Sequence, residues 1–329
     1  MKKNFLTKLL IVLLLTIMTA TLVFSTNVRA TSMDVNGKKT YVVDEFLDEE
    51  SFTEAQSTQE EKIMMYDATT GETTEIDMDN LAQKIATTYT RNGGNYTRTE
   101  SYDPLAFLEE PNPITPYSTY TRVTNTSTFP YRVTCRIKAE VYGNELIGSG
   151  YLVGSNLLLT NAHCVMNMDD NDQTFADWVA YPGYNNGAYN GVSSGWSKII
   201  YSSNWKGNHS VADDWCLCIL NSNIGSQVGW FGCQSYGTNA EMNGLAVKTI
   251  GYAASEGNGK YQYYSTGTLS NVQNGYFYSS AMSTGGMSGG PVTRTSDNYA
   301  VGINRGHTST SAVGVRITQN IINLILENS

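Results

Sequence analysis

One serine in this chain lies among glycines in a way that suits it to nucleophilic chemistry. Residues 285–290 read GGMSGG, with Ser288 inside the run. Glycines let the backbone fold close to a substrate and let successive N–H groups point at one spot, as a developing oxyanion requires. We expect Ser288 to be a nucleophile and the N–H groups of Gly286 and Ser288 to form an oxyanion hole. The alternative is a glycine-rich surface turn.

A histidine and an acid that could activate this serine come earlier in the chain. The apolar run 157–159 leads directly to His163, one of only three histidines. Asp213 and Asp214 precede a run that is apolar on both faces, and an acid beside such a buried strand is usually paired. Asp214 adjoins the run, whereas Asp213 is expected to be solvated. Because serine needs a base that an acid orients, the set predicts a Ser–His–Asp triad.

The order and wording of these motifs carry a family resemblance. The segments TNAHC (160–164), DWCL (214–217) and GMSGGP (286–291) resemble those of chymotrypsin-fold serine proteases. Within that fold the chain is similar to bacterial glutamyl endopeptidases: it lacks the usual aspartate before the serine, and it contains TRVTNTSTFPYR (121–132) and VGWFG (228–232). The resemblance covers about residues 114–329. It implies two antiparallel six-stranded β-barrels with the site between them, His163 and Asp214 belonging to the first and Ser288 to the second.

The resemblance also implies which residues bind substrate and how activation differs. Ser283, Asn304 and His307 are the candidate substrate-binding residues, with Asn304 standing where the family has a histidine. Arg305 or His307 could supply the missing positive charge; alternatively, both are solvated loop residues. A preference for Glu or Asp on the acyl side of the scissile bond therefore has Gln or Asn as its close rival. Met287 cannot form the aspartate–ammonium pair that activates trypsin-like enzymes.

The cysteines and acids offer no convincing metal site. Five cysteines are an odd number for a secreted chain. The resemblance implies a disulfide partner for Cys164 within residues 147–150, and this chain has no cysteine there. Cys216 and Cys218 alternate onto one face of a predicted buried strand, which favours core packing over zinc binding. Residues 169–172 read DDND but lack the glycine and terminal Glu of a calcium loop, so solvated acids are expected. No metal or other cofactor is predicted.

The elements that must position these residues are short strands. Many such runs, separated by Gly, Asn and Ser turns, predict an all-β fold of barrel or sandwich type. At the tail, Thr318 can cap a helix over residues 318–328. We expect the first barrel at about 113–225 and the second at about 226–317. The predicted strands are 133–141, 150–153, 157–160, 215–220, 245–250, 299–303 and 312–317.

Two segments of different composition precede this body. Residues 1–30 hold four cations, no acid and an apolar run over 9–24, followed by Val28, Arg29 and Ala30, a layout typical of a signal peptide cleaved after Ala30. An uncleaved membrane anchor is the alternative. Residues 31–112 hold 18 acids against 6 cations, which favours a weakly ordered or partner-dependent region. It is interpreted as an acidic propeptide ending near residue 112, with a solvated linker as the alternative.

The charge composition excludes one further class of function. A net charge of −9 without a basic stripe argues against a nucleic-acid binder. The sequence predicts a secreted, extracellular, monomeric serine endopeptidase, in which residues 113–329 are the protease domain. Its partners would be polypeptide substrates and its own propeptide, with no membrane association once the signal is removed. The alternative is a catalytically silent homologue that binds protein partners through the same cleft.

Overall fold

The structure is a computed structural model that describes residues 27–33, 39–44, 61–88, 99–102, 119–168 and 171–329. Strands dominate these residues. They are β1 (Asn27–Met33), β2 (Lys39–Asp44), β3 (Ile63–Asp67), β4 (Glu72–Ile76), β5 (Thr121–Arg122), β6 (Thr134–Val141), β7 (Asn144–Leu152), β8 (Leu157–Thr160), β9 (Met166–Asn167), β10 (Gln173–Thr174), β11 (Ala176–Pro182), β12 (Trp196–Ser202), β13 (Cys216–Leu220), β14 (Ala246–Gly251), β15 (Tyr263–Ser270), β16 (Tyr276–Ser279), β17 (Pro291–Arg294), β18 (Ala300–His307) and β19 (Ala312–Arg316). The described helices are α1 (Met78–Thr88), α2 (Gly225–Val228), α3 (Asn239–Met242) and α4 (Gln319–Asn328).

The second half of the body is a closed antiparallel barrel of six strands. Its order is β14–β17–β18–β19–β16–β15, and β15 closes it by pairing with β14. Phe277 fills the interior between β18 and β19, where Gly302 and Gly314 leave room for its ring. A Cβ added at either glycine would lie 2.4 Å from that ring. The small residues on these strands are therefore set by the aromatic ring that they enclose.

The first half of the body also has six strands, but no ladder closes them. The order is β11–β6–β7–β8–β13–β12, and among the described residues the two ends meet through an isolated bridge between Ala180 of β11 and Ser194, which lies just before β12. The physical reason is that β3 pairs with the free edge of β12 over residues 198–202. The predicted all-β fold is confirmed, with one closed barrel and one open sheet in place of two closed barrels.

Part of the acidic segment packs onto this body. The β3–β4 hairpin extends the first sheet at β12, and α1 lies against α4, where Lys84 Nζ is 2.6 Å from Glu327 Oε1. Ile63, Leu81 and Ile85 are buried in the same core as the first sheet. Farther upstream, β2 joins β7 in parallel. The described part of this segment is therefore structured and uses the body as its partner.

The targeting segment is mostly outside the described residues. Its apolar run over 9–24 is not described, and the predicted cleavage after Ala30 falls within β1. None of the described helices combines the length and the hydrophobicity that a membrane-spanning segment requires.

The predicted elements of the body are confirmed. All seven predicted strands coincide with or overlap observed ones. Thr318 caps α4, since its hydroxyl accepts the Ile321 N–H at 3.4 Å, and the predicted apolar face of the helix is buried. The strands without a prediction, such as β12 and β15, carry more polar and aromatic residues.

Candidate active site

Strand pairing in the first sheet brings His163 next to Asp214. β8 is buried throughout and runs into a tight turn over Ala162–Cys164, which carries His163. β8 and β13 are antiparallel, with Thr160 opposite Cys216. Residues just after β8 therefore meet residues just before β13, which is where His163 and Asp214 lie.

The contact between the two side chains is short and excludes solvent. His163 Nδ1 lies 2.6 Å from Asp214 Oδ2, and the His163 backbone N–H donates to Asp214 Oδ1 at 3.1 Å. Both side chains are fully buried. A histidine whose Nδ1–H is donated to a carboxylate presents Nε2 as its basic nitrogen. The pair thus has the geometry that a general base and its orienting acid need.

A third ionisable side chain, that of Arg305, lies beside this pair. Arg305 Nε lies 3.0 Å from Asp214 Oδ2, and the Arg305 side chain is 4% exposed. Burial pushes the pKa of the Asp214 carboxyl up, but the charge and hydrogen bonds of His163, and then the charge of Arg305, hold that pKa below its usual value. The interpretation of Arg305 as a solvated loop residue is wrong, because β18 continues through it and buries it.

Ser288 follows a glycine turn that only a flexible backbone can make. Gly286 and Gly289 have φ of +86° and +85°, in the left-handed region. A Cβ on Gly289 would lie 2.0 Å from the Ser149 carbonyl oxygen. Within the described part of the chain, neither the Gly286 nor the Ser288 N–H donates to a protein acceptor. Both donors remain available to a ligand.

The first sheet holds this serine loop in place. The Ser149 hydroxyl donates to the Gly286 carbonyl at 2.7 Å, and the Ser149 N–H donates to the Ser288 carbonyl at 2.8 Å. Asn161 accepts the Gly289 N–H through Oδ1 at 2.6 Å. The halves of the site thus meet through hydrogen bonds, and the Ser288 hydroxyl itself donates to the Arg305 carbonyl at 2.8 Å.

Two of the three candidate substrate-binding residues touch each other. Asn304 Nδ2 donates to the Ser283 hydroxyl at 2.8 Å, and both side chains are buried. The Asn304 N–H donates to the Gly290 carbonyl, which places the pair beside the serine loop. His307 lies at the end of β18, partly buried, with Nδ1 3.0 Å from the Thr308 carbonyl. Met287 is fully buried against Ala253 and Tyr263.

Some functional residues had no clear signal in the sequence. Asn161 stands inside the TNAHC motif and could have been singled out there. Ser149 and Arg305 reach the site through contacts between residues that are far apart in the sequence, and no local pattern indicates such contacts. Asp213 is half-buried, and burial raises its pKa, so it is less solvated than predicted.

The cysteines and the acidic loop hold no metal cluster that the structure describes. All five thiols are free and buried, and Cys216 and Cys218 are 3.9 Å apart in the core, as predicted for apolar packing. The described residues contain no group of three or more His, Cys, Asp or Glu that could hold a metal ion. Asp172 is buried and contacts His209 Nε2 at 2.9 Å, so its prediction as solvated is wrong; residues 169 and 170 lie outside the described residues.

Parts of the chain are similar to known proteases. Residues 148–303 match the model of the trypsin-like peptidase domain. The chain is 32% identical over 182 residues to a glutamyl endopeptidase of Bacillus licheniformis, covering 54% of each chain. It is 27% identical over 217 residues to an extracellular metalloprotease of Bacillus subtilis, covering 62% of this chain and 66% of that one. The chain thus spans between half and two thirds of the length of these curated relatives.

Solved structures share the fold. A Glu endopeptidase in complex with MPD superposes with a TM-score of 0.56 at 23% identity, covering 63% of this chain and 95% of that one. The protease Anisep of Arthrobacter nicotinovorans gives a TM-score of 0.51 at 21% identity, covering 59% and 95%. The fold is therefore that of the chymotrypsin-like serine proteases. Residues 148–303 are thus similar to trypsin-like peptidase domains, and 182 residues of the chain are similar to a bacterial glutamyl endopeptidase.

Proposed function

We propose that the protein is a serine endopeptidase that uses Ser288, His163 and Asp214. The observation that carries this proposal is the buried contact between His163 Nδ1 and Asp214 Oδ2, next to a serine loop with two N–H groups available to a ligand. The homology to a glutamyl endopeptidase supports the same reaction.

The reaction begins when the Ser288 hydroxyl turns from the Arg305 carbonyl towards His163 Nε2. His163 takes the proton as Ser288 attacks the scissile carbonyl, and the N–H groups of Gly286 and Ser288 receive the oxyanion. His163 then gives the proton to the leaving amine, and water releases the acyl group by the same steps in reverse. Asp214 stays ionised throughout and stabilises the charged imidazole.

The substrate preference in this proposal is Glu, or Asp, on the acyl side of the scissile bond. Ser283 accepts a hydrogen bond from Asn304, so the Ser283 proton and the second Asn304 amide proton can both be donated to a substrate oxygen. A carboxylate accepts such bonds without needing a donor in return. His307, farther along β18, is the third candidate contact. Gln and Asn remain rivals because Asn304 is neutral and Arg305 already faces Asp214.

The same proposal includes the secretion and maturation of the chain. We propose a signal peptide over residues 1–30, a propeptide over 31–112 and a protease domain over 113–329 that acts as an extracellular monomer. The extracellular relative supports secretion. The structured hairpin and α1 support a propeptide that folds with the body.

The first experiment combines a serine probe with mapping of cleavage sites. The secreted protein is treated with a fluorophosphonate, alongside Ser288→Ala and, as a matched control, Ser270→Ala, which changes an exposed serine on β15. We expect labelling that is lost only in Ser288→Ala and is unaffected by a chelator. We also expect cuts after Glu in an unstructured protein to outnumber cuts after Gln, Asn, Leu or Arg.

Each other outcome rejects a definite part of the proposal. Labelling with cuts after other residues keeps the mechanism and removes the preference. Hydrolysis that a chelator abolishes and Ser288→Ala retains would favour metal-dependent chemistry, as the name of the Bacillus subtilis relative suggests. Folded protein without labelling or cuts would favour the silent, protein-binding homologue.

A further inference from the structure

Arg305 contacts two members of the triad at once. Its guanidinium Nε is 3.0 Å from Asp214 Oδ2, and its backbone carbonyl accepts the Ser288 hydroxyl at 2.8 Å. Arg305 lies on β18 of the closed barrel, whereas Asp214 precedes β13 of the open sheet. One residue therefore connects the acid on one side of the site with the nucleophile on the other.

The contact between Arg305 and Asp214 affects the protonation of His163, because of the charges around Asp214. Asp214 faces His163 and Arg305, and its chain neighbour Asp213 is half-buried and in turn acts on Glu61. When His163 is neutral, the buried negative charge of Asp214 is cancelled by Arg305. Protonation of His163 then adds a net positive charge to a site closed to solvent, and burial penalises such a charge strongly.

We propose that Arg305 is a positioning residue that keeps His163 neutral, and so able to act as a base, to a lower pH than Asp214 alone would allow. This inference rests on the proposed function for its catalytic meaning. Its effect on the histidine, however, does not depend on turnover. Because Arg305 acts through Asp214, its side chain need not touch the substrate.

The test is the protonation midpoint of His163 in the full chain carrying Ser288→Ala, followed by NMR of the imidazole. Only three histidines are present, so His209→Gln and His307→Gln assign the signals. We expect Arg305→Met to raise the midpoint by about one pH unit, as for loss of an adjacent charge. Arg305→Lys keeps the charge and should largely restore the original midpoint.

The matched control is Arg316→Met, which removes another buried arginine, one bound to Asn239 and to backbone carbonyls away from the triad. It should leave the midpoint unchanged. Arg305→Gln supplies a second neutral side chain if Arg305→Met does not fold. An unchanged midpoint in a folded neutral variant, or an equal rise in Arg316→Met, overturns the proposal.

Kinetics separate this proposal from the proposed function. In the chain with Ser288, the acid limb of kcat/KM should move to higher pH in Arg305→Met by the same amount, with a smaller change in KM. A chain that never turns over contradicts the proposed function. The NMR midpoints still decide the role of Arg305.

Discussion

Asn161 and Gly289 are joined by a 2.6 Å hydrogen bond, in which the Gly289 N–H donates to Asn161 Oδ1. The other end of the same amide donates from Nδ2 to the Asp214 carbonyl at 2.5 Å. A single buried side chain therefore ties Gly289, the residue after Ser288, to Asp214. In the proposed mechanism, the alignment of Ser288 with His163 and Asp214 depends on this amide.

We expect Asn161→Ala to lower kcat by about 10²-fold, since small misplacement of reacting groups costs that much. Asn161→Asp keeps the acceptor for Gly289 and loses the donor to Asp214. Its kcat should therefore lie between those of the parent and Asn161→Ala. The measurement is steady-state kinetics on a peptide with Glu before the scissile bond. Unchanged kcat in Asn161→Ala would show that the bond to Gly289 has no part in alignment.

A cysteine placed at Gly148 should form a disulfide with Cys164. A Cβ at Gly148 would lie 3.5 Å from the Cys164 Cβ and 3.0 Å from its Sγ, which suits a disulfide. Closing a loop of this length stabilises by up to about 3 kcal/mol. We expect Gly148→Cys to contain one fewer free thiol than the parent and to melt at a higher temperature.

The control for this disulfide is the same variant in reducing agent, where the gain in melting temperature should disappear. An additional free thiol in place of a lost one would contradict the geometry. The parent chain, whose five cysteines are free, should respond little to the reducing agent.

Truncation of a buried residue in α1 tests the role of the acidic segment. Leu81 is 6% exposed and packs into the core of the first sheet. Leu81→Ala should therefore lower the free energy of unfolding by about 2–4 kcal/mol. Gln83→Ala changes an exposed residue of the same helix, two positions after Leu81. It should change the free energy of unfolding by less than about 0.5 kcal/mol. Urea unfolding of the chain with Ser288→Ala measures both.

This comparison distinguishes a folded propeptide from a solvated linker. A linker would tolerate Leu81→Ala as well as Gln83→Ala. Equal stability of the two variants would therefore favour the linker interpretation.

Asp213 should make stability depend on pH. Burial raises its pKa, so the folded chain binds this proton more tightly than the unfolded chain does. Stability is then lost as pH rises through the carboxyl range, and the penalty is complete above the raised pKa. Asp213→Asn keeps an oxygen to accept from Ser202 and removes the charge. We expect its urea midpoint to exceed that of the parent at pH 7, with the difference shrinking towards pH 4.

Measurements at low pH and a matched variant test whether the charge of Asp213 causes the difference in stability. Asp177→Asn changes an exposed acid on β11 and should show no comparable pH-dependent gain. A gain for Asp213→Asn that persists unchanged at low pH would mean that the amide packs better, independently of charge.

The sequence predicts the triad and most strands because both depend on local patterns. His163, Asp214 and Ser288 each stand in a motif, and buried strands such as β8 are continuous apolar runs. The contact of Arg305 with Asp214 was not predicted, because the glycines at both ends of segment 302–306 suggest a loop, although β18 continues through a register shift between Asn304 and Gly306. The β3–β12 pairing was missed because residues more than a hundred positions apart form it, and no local pattern reports such a contact.

The pairing of β3 with β12 covers a strand edge of the first sheet. If the proposed propeptide is removed, residues 198–202 lose their partner strand and present a row of unpaired backbone donors and acceptors, along which separate molecules can associate strand to strand. Lys198, which faces Asp67 at 3.0 Å while the hairpin is bound, would then stand at this edge without that acid. A lysine at an exposed edge discourages intermolecular pairing.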